Sequence, residues 1–454
     1  MSARPRAGLR RRLVQLAVLA IITIVLYLAV RFAQAPNPTI ETIAALGFLM
    51  LAGTLLSEIL EPLGLPHITA YLVCGLVAGP SVSGLIALPV VQNLAPVNTI
   101  ALALIALAGG AELRLDDLRK NRRSLTWSTL LQHTGVPLAC ALALIAVAPM
   151  SPFATFSPSA LIGVAVLWGT LAASRSPAVL LGVFSELRPK GPLASFSLAH
   201  VMFSDLVVIL MMAIAIALVR PFFDPAMALS FIEIRALGFE MLGSVMLGGC
   251  VGIILAIYFR LTERSHLIVL LAISVGLSEL IKYVRFDSLL CFLVAGFVVR
   301  NFTSQGERLL HAIHQTGILV FAVFFAVAGA KVDLVLLRDA GLVAIGLCAV
   351  RALTTFIMAR ASSRLAGDHP SVRRWAFAPL ISQAGLTIGL TEVVARAFPS
   401  ISAPFRALAL AAVAIHEFVG PVLLKLALVR AGEAPAGNTQ AEAEETRESR
   451  GGIR

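Results

Sequence analysis

Charged residues are scarce in this chain of 454 residues. Asp, Glu, Lys and Arg together make up 13% of it, whereas a soluble domain carries about 25%. The mean hydropathy is +0.91, and 58% of the residues are hydrophobic. This scarcity excludes a water-soluble globular domain. The apolar runs are continuous rather than alternating over segments of about ten residues, so we expect an all-α polytopic membrane protein and not a β-barrel.

Motifs for disulfides, metals, nucleotides and covalent catalysis are also missing. The five cysteines lie singly in apolar runs, without a CxxC or Cys/His group, and are expected to be buried apolar side chains: Cys74, Cys140, Cys250, Cys291 and Cys348. No nucleophile elbow, HExxH, phosphate loop or strand-associated GxGxxG occurs. We therefore expect no enzyme activity, no cofactor and no nucleotide. We interpret the net charge of +11 as a topology signal rather than a nucleic-acid surface.

Long apolar segments are what the chain has in abundance. A membrane-spanning helix needs about 20 residues, so the sequence predicts about thirteen to fourteen spans. Their approximate ranges are 13–32, 41–60, 66–86, 97–113, 124–148, 158–186, 194–219, 236–259, 265–283, 287–303, 312–332, 338–361, 375–397 and 404–429. The signal is weakest at 66–86, 97–113 and 287–303.

Basic residues outside the spans are distributed unevenly. If the N-terminus is cytoplasmic, 24 of the 36 Lys and Arg residues fall on the cytoplasmic side and 9 on the other. We therefore expect both termini to lie on the cytoplasmic side. Residues 1–40 hold a basic segment and the first helix, which is either a retained signal anchor or a signal peptide cleaved near AQA, and Arg31 favours retention. The polar stretch 433–454 is expected to be a disordered cytoplasmic tail.

Few ionisable residues lie within the predicted spans, and Asp205 is the most informative of them. It lies in the stretch HVMFSDLVVILMMAIAIAL, where a carboxylate is expensive unless it has a partner or a function. The basic residues within spans are Arg175, Arg351 and Lys425. Arg175 belongs to the tetrapeptide SRSP, which is expected to break its helix. An acid, a few bases and a broken helix in the membrane indicate an ion or proton site.

Two halves of the chain are related as inverted repeats. Spans two to seven (about 41–219) overlay on spans nine to fourteen (about 265–429), with the helix at about 236–259 as a connector, and the halves begin on opposite sides of the membrane. The fifth helix of each half is interrupted, at SRSP with Pro177 and at SQAGLT with Gly385. Interrupted helices at matching positions predict the binding site of a secondary transporter.

Several motifs occur in the order and spacing of a known family. They include SPAVLLGVFSEL, FSDLVVI, FFAVAGAKVDL, SQAGLTIGL and EFVGPVLLKLALVRAGE. From about 41 to 432 the chain resembles the monovalent cation:proton antiporters and, among them, the Kef-like bacterial branch. The C-terminal nucleotide-binding regulatory domain that is common in that branch is expected to be absent.

The resemblance implies a homodimer in which each protomer has a dimerisation scaffold and a moving core bundle. It implies that the two interrupted helices cross in the core beside an essential aspartate, which maps to Asp205. The family's basic residue in the helix before the second interruption maps to Arg351. Ser204 stands where many members have a first acid, which implies one titrating carboxylate and electroneutral exchange. Arg175 stands at a position that is usually neutral or acidic.

The leading hypothesis is a secondary transporter of the bacterial inner membrane that exchanges Na⁺ or K⁺ for H⁺ by alternating access, with Asp205 as the shared cation and proton site. Hydroxyl groups near the interruptions are candidate ion ligands: Ser204, Ser174 and Ser176. Other residues are expected to shape the interruptions or to balance charge: Arg175, Pro177, Ser382, Gln383, Gly385, Thr387 and Arg351. Capping of a half-helix is the alternative role for the side chains with hydroxyl or amide groups.

Two other functions remain open at the level of the sequence. Arg175 could coordinate an anion or another solute on the same scaffold. Alternatively, Asp205 is locked in an ion pair with Arg175 or Arg351, and the protein is a membrane sensor that transports nothing.

The last predicted span carries two further ionisable residues, His416 and Glu417. They lie at the place that is equivalent to Ser204–Asp205 in the other half. We expect helix-end packing there or a pairing with Lys425, with ion binding as the alternative.

Overall fold

The computed structural model describes Gln15 and residues 17–25, 38–151, 153–223, 231–262, 266–284 and 286–435. Within these ranges the regular secondary structure is entirely helical. The predicted first span, 13–32, falls within the described residues only at Gln15 and 17–25, which are helical. The predicted tail lies outside the described residues from residue 436 onward.

Seventeen α-helices follow residues 17–25 in the described part of the chain. They are α1 (Pro38–Leu60), α2 (His67–Ala78), α3 (Leu88–Asn93), α4 (Ala95–Glu112), α5 (Leu115–Lys120), α6 (Arg122–Val147), α7 (Pro158–Ala172), α8 (Pro177–Leu187), α9 (Pro192–Phe223), α10 (Phe231–Leu261), α11 (His266–Tyr283), α12 (Ser288–Phe302), α13 (Gly306–Ala330), α14 (Leu334–Ala366), α15 (Pro370–Trp375), α16 (Gly385–Ala397) and α17 (Ser402–Arg430). Short 3₁₀ turns lie at Glu61–Leu63, Ala148–Met150, Ala378–Leu380 and Pro399–Ile401.

Nine of the helical segments in these described ranges are long and apolar enough to cross a membrane. Shorter apolar helices lie at His67–Ala78, Ala272–Ile281, Ser288–Phe302 and Val320–Ala330. Every predicted span from the second to the fourteenth coincides with one of these segments, so the all-α polytopic fold class is confirmed. The boundaries differ locally. The span predicted at 66–86 is helical only to Ala78, because Pro80 follows and disfavours helical geometry in the residue before it.

The helices pack as two bodies. One, which we call the scaffold, consists of α1, α2, α4 and α10–α13; the other, which we call the bundle, consists of α6–α9, α14, α16 and α17. The bundle has its own buried apolar core, which includes Val136, Trp168 and Phe405. The apolar core of the scaffold extends to the sides of α8, α9 and α17 that face it. The boundary between the two bodies is therefore closely packed over much of its length.

Two pairs of scaffold helices pack closely at glycines, and each helix of a pair contributes one glycine. A Cβ at Gly75 of α2 would lie 1.8 Å from a backbone oxygen of α13, and one at Gly329 of α13 would lie 2.1 Å from a backbone oxygen of α2. Gly110 of α4 and Gly296 of α12 meet in the same way, at 1.8 and 2.1 Å. In the inverted repeat, α2 corresponds to α12 and α4 corresponds to α13. The contact between α2 and α13 therefore corresponds to the contact between α12 and α4. Glycine allows such close approach of two membrane helices.

The prediction of five buried cysteines is wrong for one of them. Cys74, Cys140, Cys291 and Cys348 are buried, whereas Cys250 is exposed on α10, and none is bonded to another. An apolar run in the sequence does not distinguish a face in lipid from a face in protein, because both surroundings are apolar.

The end of the described chain is held by Glu433. Its two carboxylate oxygens accept hydrogen bonds from the backbone N–H groups of Leu193 and Ala194, both at 2.8 Å, at the start of α9. A carboxylate at a helix N-terminus is favourable because it satisfies free N–H groups and complements the helix dipole. Glu433, the first residue of the predicted tail, is thus part of the folded protein.

Candidate functional site

The first interruption separates α7 from α8. Pro177 has no backbone N–H and disfavours helical geometry in the residue before it, so α7 ends at Ala172 and Ser176 is extended. The Ser176 hydroxyl accepts a hydrogen bond from the Val179 N–H at 3.2 Å and caps α8. The local sequence therefore determines the interruption, and the Ser176 cap stabilises the start of α8.

The second interruption separates the 3₁₀ turn Ala378–Leu380 from α16. Ser382 and Gln383 lie between them and are buried, and α16 begins at Gly385. A Cβ at Gly420 of α17 would lie 2.0 Å from the Ser382 hydroxyl oxygen. The last helix therefore packs directly against this interruption.

The two interruptions touch each other through side chains. The Gln383 amide donates hydrogen bonds to the Leu171 carbonyl at 3.2 Å and to the Ser174 hydroxyl oxygen at 3.0 Å. The hydroxyl oxygens of Ser174 and Thr387 lie 2.7 Å apart. The two interrupted helices therefore meet at their interruptions, inside the bundle.

Arg351 of α14 joins the backbones of both interruptions. Its guanidinium donates to the carbonyls of Ala172 at 2.8 Å and Ser174 at 2.9 Å in the first, and of Ile381 at 2.7 Å and Leu380 at 3.2 Å in the second. The side chain is buried. A positive charge is favourable here because carbonyl groups that have lost their helical partners converge on it.

Arg175 points into the bundle. It is 0% exposed, and its guanidinium donates to the carbonyls of Ala172 at 3.3 Å and Ser174 at 3.1 Å and to the Gln132 side-chain oxygen at 2.9 Å. Both Arg175 and Asp205 are described residues, and no ion pair joins them. The locked ion pair that a sensor requires is not formed with Arg175.

Asp205 lies in the middle of α9 and lines a cavity of about 280 Å³ between the bundle and the scaffold. Its Oδ1 atom is buried and has no hydrogen-bond partner. Among the described residues, Asp205 forms no ion pair with Arg351 either. An unpaired carboxylate in apolar surroundings is costly unless an ion or proton neutralises it.

The cavity walls are almost entirely apolar. Among the described residues that line it, polar side chains come from Ser176, Asp205 and Asp287, and no Lys or Arg contributes. Pro177 and Gly385 place the cavity beside both interruptions. Such a space with two carboxylates favours a cation or a proton over an anion.

Asp287 was not predicted from the sequence. It directly precedes α12, and its Oδ1 accepts a hydrogen bond from the Leu290 N–H at 2.7 Å. The available signal was an acid followed by an apolar run, which is typical of a helix start. Only the fold brings this helix start to the cavity that Asp205 lines.

Ser204 is not among the residues that line the cavity; its hydroxyl meets His133. The hydroxyl oxygen lies 2.9 Å from Nε2 of His133, and the Nδ1 of that ring lies 2.9 Å from the Thr129 carbonyl. Nδ1 therefore donates to the carbonyl, and Nε2 accepts from the hydroxyl. His200 packs nearby with its ring nitrogens unpaired. Ser204, predicted as an ion ligand, thus belongs to a polar layer behind Asp205.

Lys425 does not pair with Glu417. Its ammonium donates to the Glu186 carboxylate at 2.8 Å and to the Leu65 carbonyl at 3.1 Å. Glu417 and Lys425 are separated by about 12 Å along one helix, given a rise of about 1.5 Å per residue. Glu417 is buried, and Lys331 is the charged group that acts on it.

The predicted site residues fall into three groups. The crossing holds Ser174, Gln383, Thr387 and Arg351; the cavity is lined by Asp205, Ser176, Pro177 and Gly385; and Arg175, Ser204 and Ser382 lie within the bundle, outside the cavity wall.

The family model described as "Sodium/hydrogen exchanger, transmembrane" matches residues 46–430. The chain belongs to the sodium/hydrogen exchanger family. As a member of this family it is a multi-pass membrane transporter and not an enzyme. The match is to the exchanger family as a whole and does not distinguish the predicted Kef-like branch. No curated protein sequence matches the chain.

Solved structures of a sodium proton antiporter share the exchanger fold. MjNhaP1 from Methanocaldococcus jannaschii at pH 8 is 18% identical, with a TM-score of 0.60, over 87% of this chain and 98% of that one. A second structure of MjNhaP1, by electron microscopy, gives a TM-score of 0.59 at 18% identity, over 87% of this chain and 96% of that one. At this identity the likeness shows the fold alone.

Proposed function

We propose that the protein exchanges a monovalent cation, Na⁺ or K⁺, for H⁺ across the membrane by alternating access. Asp205 is the site that the two ions share. The observation that carries this proposal is the unpaired carboxylate in an apolar cavity beside two crossing interruptions. Membership of the exchanger family supports cation:proton antiport as the class of reaction.

Asp205 can hold one of the two ions at a time. Carboxylate, hydroxyl and carbonyl oxygens are hard ligands, which suit alkali cations. Protonation removes the negative charge that attracts the cation, so the proton and the cation compete. A single carboxylate that carries one H⁺ in one direction and one monovalent cation in the other moves no net charge. We therefore expect electroneutral exchange.

The two buried arginines stabilise the interruptions without neutralising Asp205. Arg351 and Arg175 direct their donors to backbone carbonyls and to Gln132, and neither lines the cavity. The positive charge of Arg175 acts on Asp205 from a distance, without a direct ion pair. The carboxylate thus remains available to an ion from the cavity.

The other two functions have less support. An anion carrier needs a cationic side chain in the cavity wall, but Arg175 is 0% exposed and lies outside that wall. Both terminal nitrogens of its guanidinium donate to protein acceptors, and only its Nε has no partner among the described residues. A sensor needs Asp205 in an ion pair, and none joins it to Arg175 or Arg351 in the described chain.

Alternating access requires that the bundle move relative to the scaffold. Asp205 belongs to α9 of the bundle, whereas much of the opposite wall of its cavity belongs to α4 and α12 of the scaffold. A movement along this boundary takes the carboxylate and its ion from one side of the membrane to the other.

We further propose a homodimer joined through the scaffold, in a bacterial inner membrane with both termini cytoplasmic. Support for these points comes from the sequence resemblance and the Lys and Arg distribution.

The test is ion transport by purified protein in proteoliposomes that contain a trapped pH dye. We expect NaCl or KCl added outside to change the internal pH with wild-type protein. Asp205→Asn keeps the size of the side chain but carries no charge, and we expect it to abolish the response. Asp333→Asn is the matched control, because Asp333 is an exposed residue outside the cavity.

The response of each variant separates the three functions. A cation response that persists in Asp205→Asn excludes Asp205 as the carrier. No response to Na⁺, K⁺ or Li⁺ between pH 6 and 9 favours the anion carrier or the sensor. Arg175→Ser then separates these two, because it is expected to abolish anion transport.

A further inference from the structure

Asp287 stands across the cavity from the bundle, at the start of scaffold helix α12. Its backbone N–H donates to the Ser244 hydroxyl at 2.9 Å, and its Oδ1 accepts from the Leu290 N–H at 2.7 Å. These bonds fix the position of the carboxylate at the start of α12. The side chain remains partly exposed and lies in the cavity wall.

Asp205 and Asp287 are the two carboxylates among the described residues that line this cavity. They come from opposite sides of the boundary, Asp205 from the bundle and Asp287 from the scaffold. Their charges act on each other. The described lining offers no basic side chain between them, and Oδ1 of Asp205 has no hydrogen-bond partner.

Two carboxylates that face one apolar space repel each other, and the low dielectric strengthens the repulsion. A monovalent cation in the cavity relieves this repulsion and gains attraction from both. We propose that Asp287 is a second cation-binding carboxylate of the transport pathway, contributed by the scaffold, which acts together with Asp205. This inference rests on the proposed exchange at Asp205 and adds a residue that the chain's resemblance to antiporters did not point to.

The position of Asp287 on the scaffold gives it a distinct task. Asp205 moves with the bundle in the proposed cycle, whereas Asp287 stays with α12. The cation is therefore attracted by both carboxylates when the cavity is as seen here and by Asp205 alone after the bundle moves. Asp287 should raise the affinity for the cation from this side and should not limit the number of turnovers.

The test compares the cation dependence of exchange in wild type, Asp287→Asn and Asp287→Glu. Asn caps a helix about as well as Asp, so Asp287→Asn keeps α12 capped and removes only the charge. We expect the half-saturating cation concentration to rise about tenfold, with the maximal rate changed less than about twofold. Asp287→Glu restores the charge and should recover most of the affinity.

Asp333→Asn is the matched control, because Asp333 also accepts a backbone N–H bond at a helix start, from Val335 at 2.9 Å, but lies outside the cavity. Unchanged half-saturation in Asp287→Asn, beside an active wild type, overturns this inference and leaves the exchange function intact. A lower maximal rate with unchanged half-saturation also overturns it, since that indicates a structural role. A wild type without cation-dependent proton movement overturns both.

Discussion

Arg175 and Arg351 donate hydrogen bonds to the same two carbonyl groups of the first interruption, but Arg351 also donates to the second interruption. The carbonyls of Ala172 and Ser174 accept hydrogen bonds from both guanidinium groups. Among the described bonds, Arg351 alone reaches the Ile381 carbonyl in the second interruption. Arg351 therefore joins the two interruptions, whereas Arg175 reinforces one of them.

This difference predicts that Arg351→Met destabilises the folded protein more than Arg175→Met does. Arg351→Met leaves carbonyls of the second interruption without this donor, and each buried unsatisfied acceptor costs about 1–3 kcal/mol. Arg175→Met leaves the first-interruption carbonyls bonded to Arg351 and deprives mainly Gln132 of a partner. We expect the thermal unfolding midpoint in detergent to fall further in Arg351→Met, by roughly 2–4 °C for each additional kcal/mol. An equal or reversed order of midpoints argues against this account.

Single residues show where sequence reasoning reaches its limit. Asp205 and Arg351 can be recognised from the sequence, because a charged side chain within the membrane costs free energy and is therefore rare unless it has a function. The direction of the Arg175 side chain was not predictable, because its partner Gln132 lies 43 residues away. Asp287 was missed because an acid before an apolar run is typical of any helix start, and its cavity exists only in the folded chain.

Among the elements, the second interruption depends on the close approach of α17. Gly420→Ala would place a Cβ 2.0 Å from the Ser382 hydroxyl oxygen and 2.9 Å from its Cα. We expect a loss of about 1–3 kcal/mol of stability, because overpacking of a close-packed site forces the backbone to shift. The measurements are the thermal midpoint and the exchange rate of the reconstituted variant.

Gly389→Ala is the control for this substitution. It lies in α16 of the same bundle, and a Cβ there meets nothing within 4 Å. We expect unchanged or higher stability, since Ala exceeds Gly in helix propensity by about 1 kcal/mol. If both variants behave alike, the contact between α17 and the interruption does not have the importance that we give it.

The helices themselves were largely predictable and their contacts were not. Hydropathy located the spans, because a membrane helix must hide its backbone polar groups and present apolar side chains. Pro177 marked the first interruption for the same local reason. The contacts between Gly75 and α13 and between Gly110 and α12 depend on which helices become neighbours, which the hydropathy of a single segment does not contain.

At the scale of the molecule, the bundle and the scaffold are tied together by Glu186. Glu186 belongs to α8 of the bundle. Its carboxylate accepts a hydrogen bond from the Lys425 ammonium, also in the bundle, and one across the boundary from the His67 N–H of the scaffold, both at 2.8 Å. Lys425 also donates to the Leu65 carbonyl of the scaffold. If the bundle moves during exchange, these bonds to the scaffold must break in every cycle.

Glu186→Gln is therefore expected to change the speed of the cycle. Glu186→Gln removes the charge from the hydrogen bond that the His67 N–H donates across the boundary. A hydrogen bond to a charged group contributes about 1 kcal/mol more than a neutral one, which corresponds to a change of about fivefold in a rate constant. We expect the maximal exchange rate to change by about this factor, with little effect on the half-saturating cation concentration. Stopped-flow records of dye-loaded proteoliposomes give both quantities.

Glu392 provides the control, because its carboxylate pairs with Arg406 of the same bundle and, among the described bonds, accepts none from the scaffold. Glu392→Gln should leave the maximal rate close to that of wild type. A large effect in Glu392→Gln, or none in Glu186→Gln, contradicts a cycle in which the two bodies separate at Glu186.

The central claim is that one carboxylate, Asp205, holds either a proton or a cation. The most direct test is proton release when NaCl or KCl is added to purified protein in weakly buffered detergent solution that contains a pH indicator. The account predicts a saturable acidification of up to about one H⁺ per protomer in wild type and none in Asp205→Asn. Cation binding without proton release, or the same release from Asp205→Asn, would show that the two ions do not compete for this site.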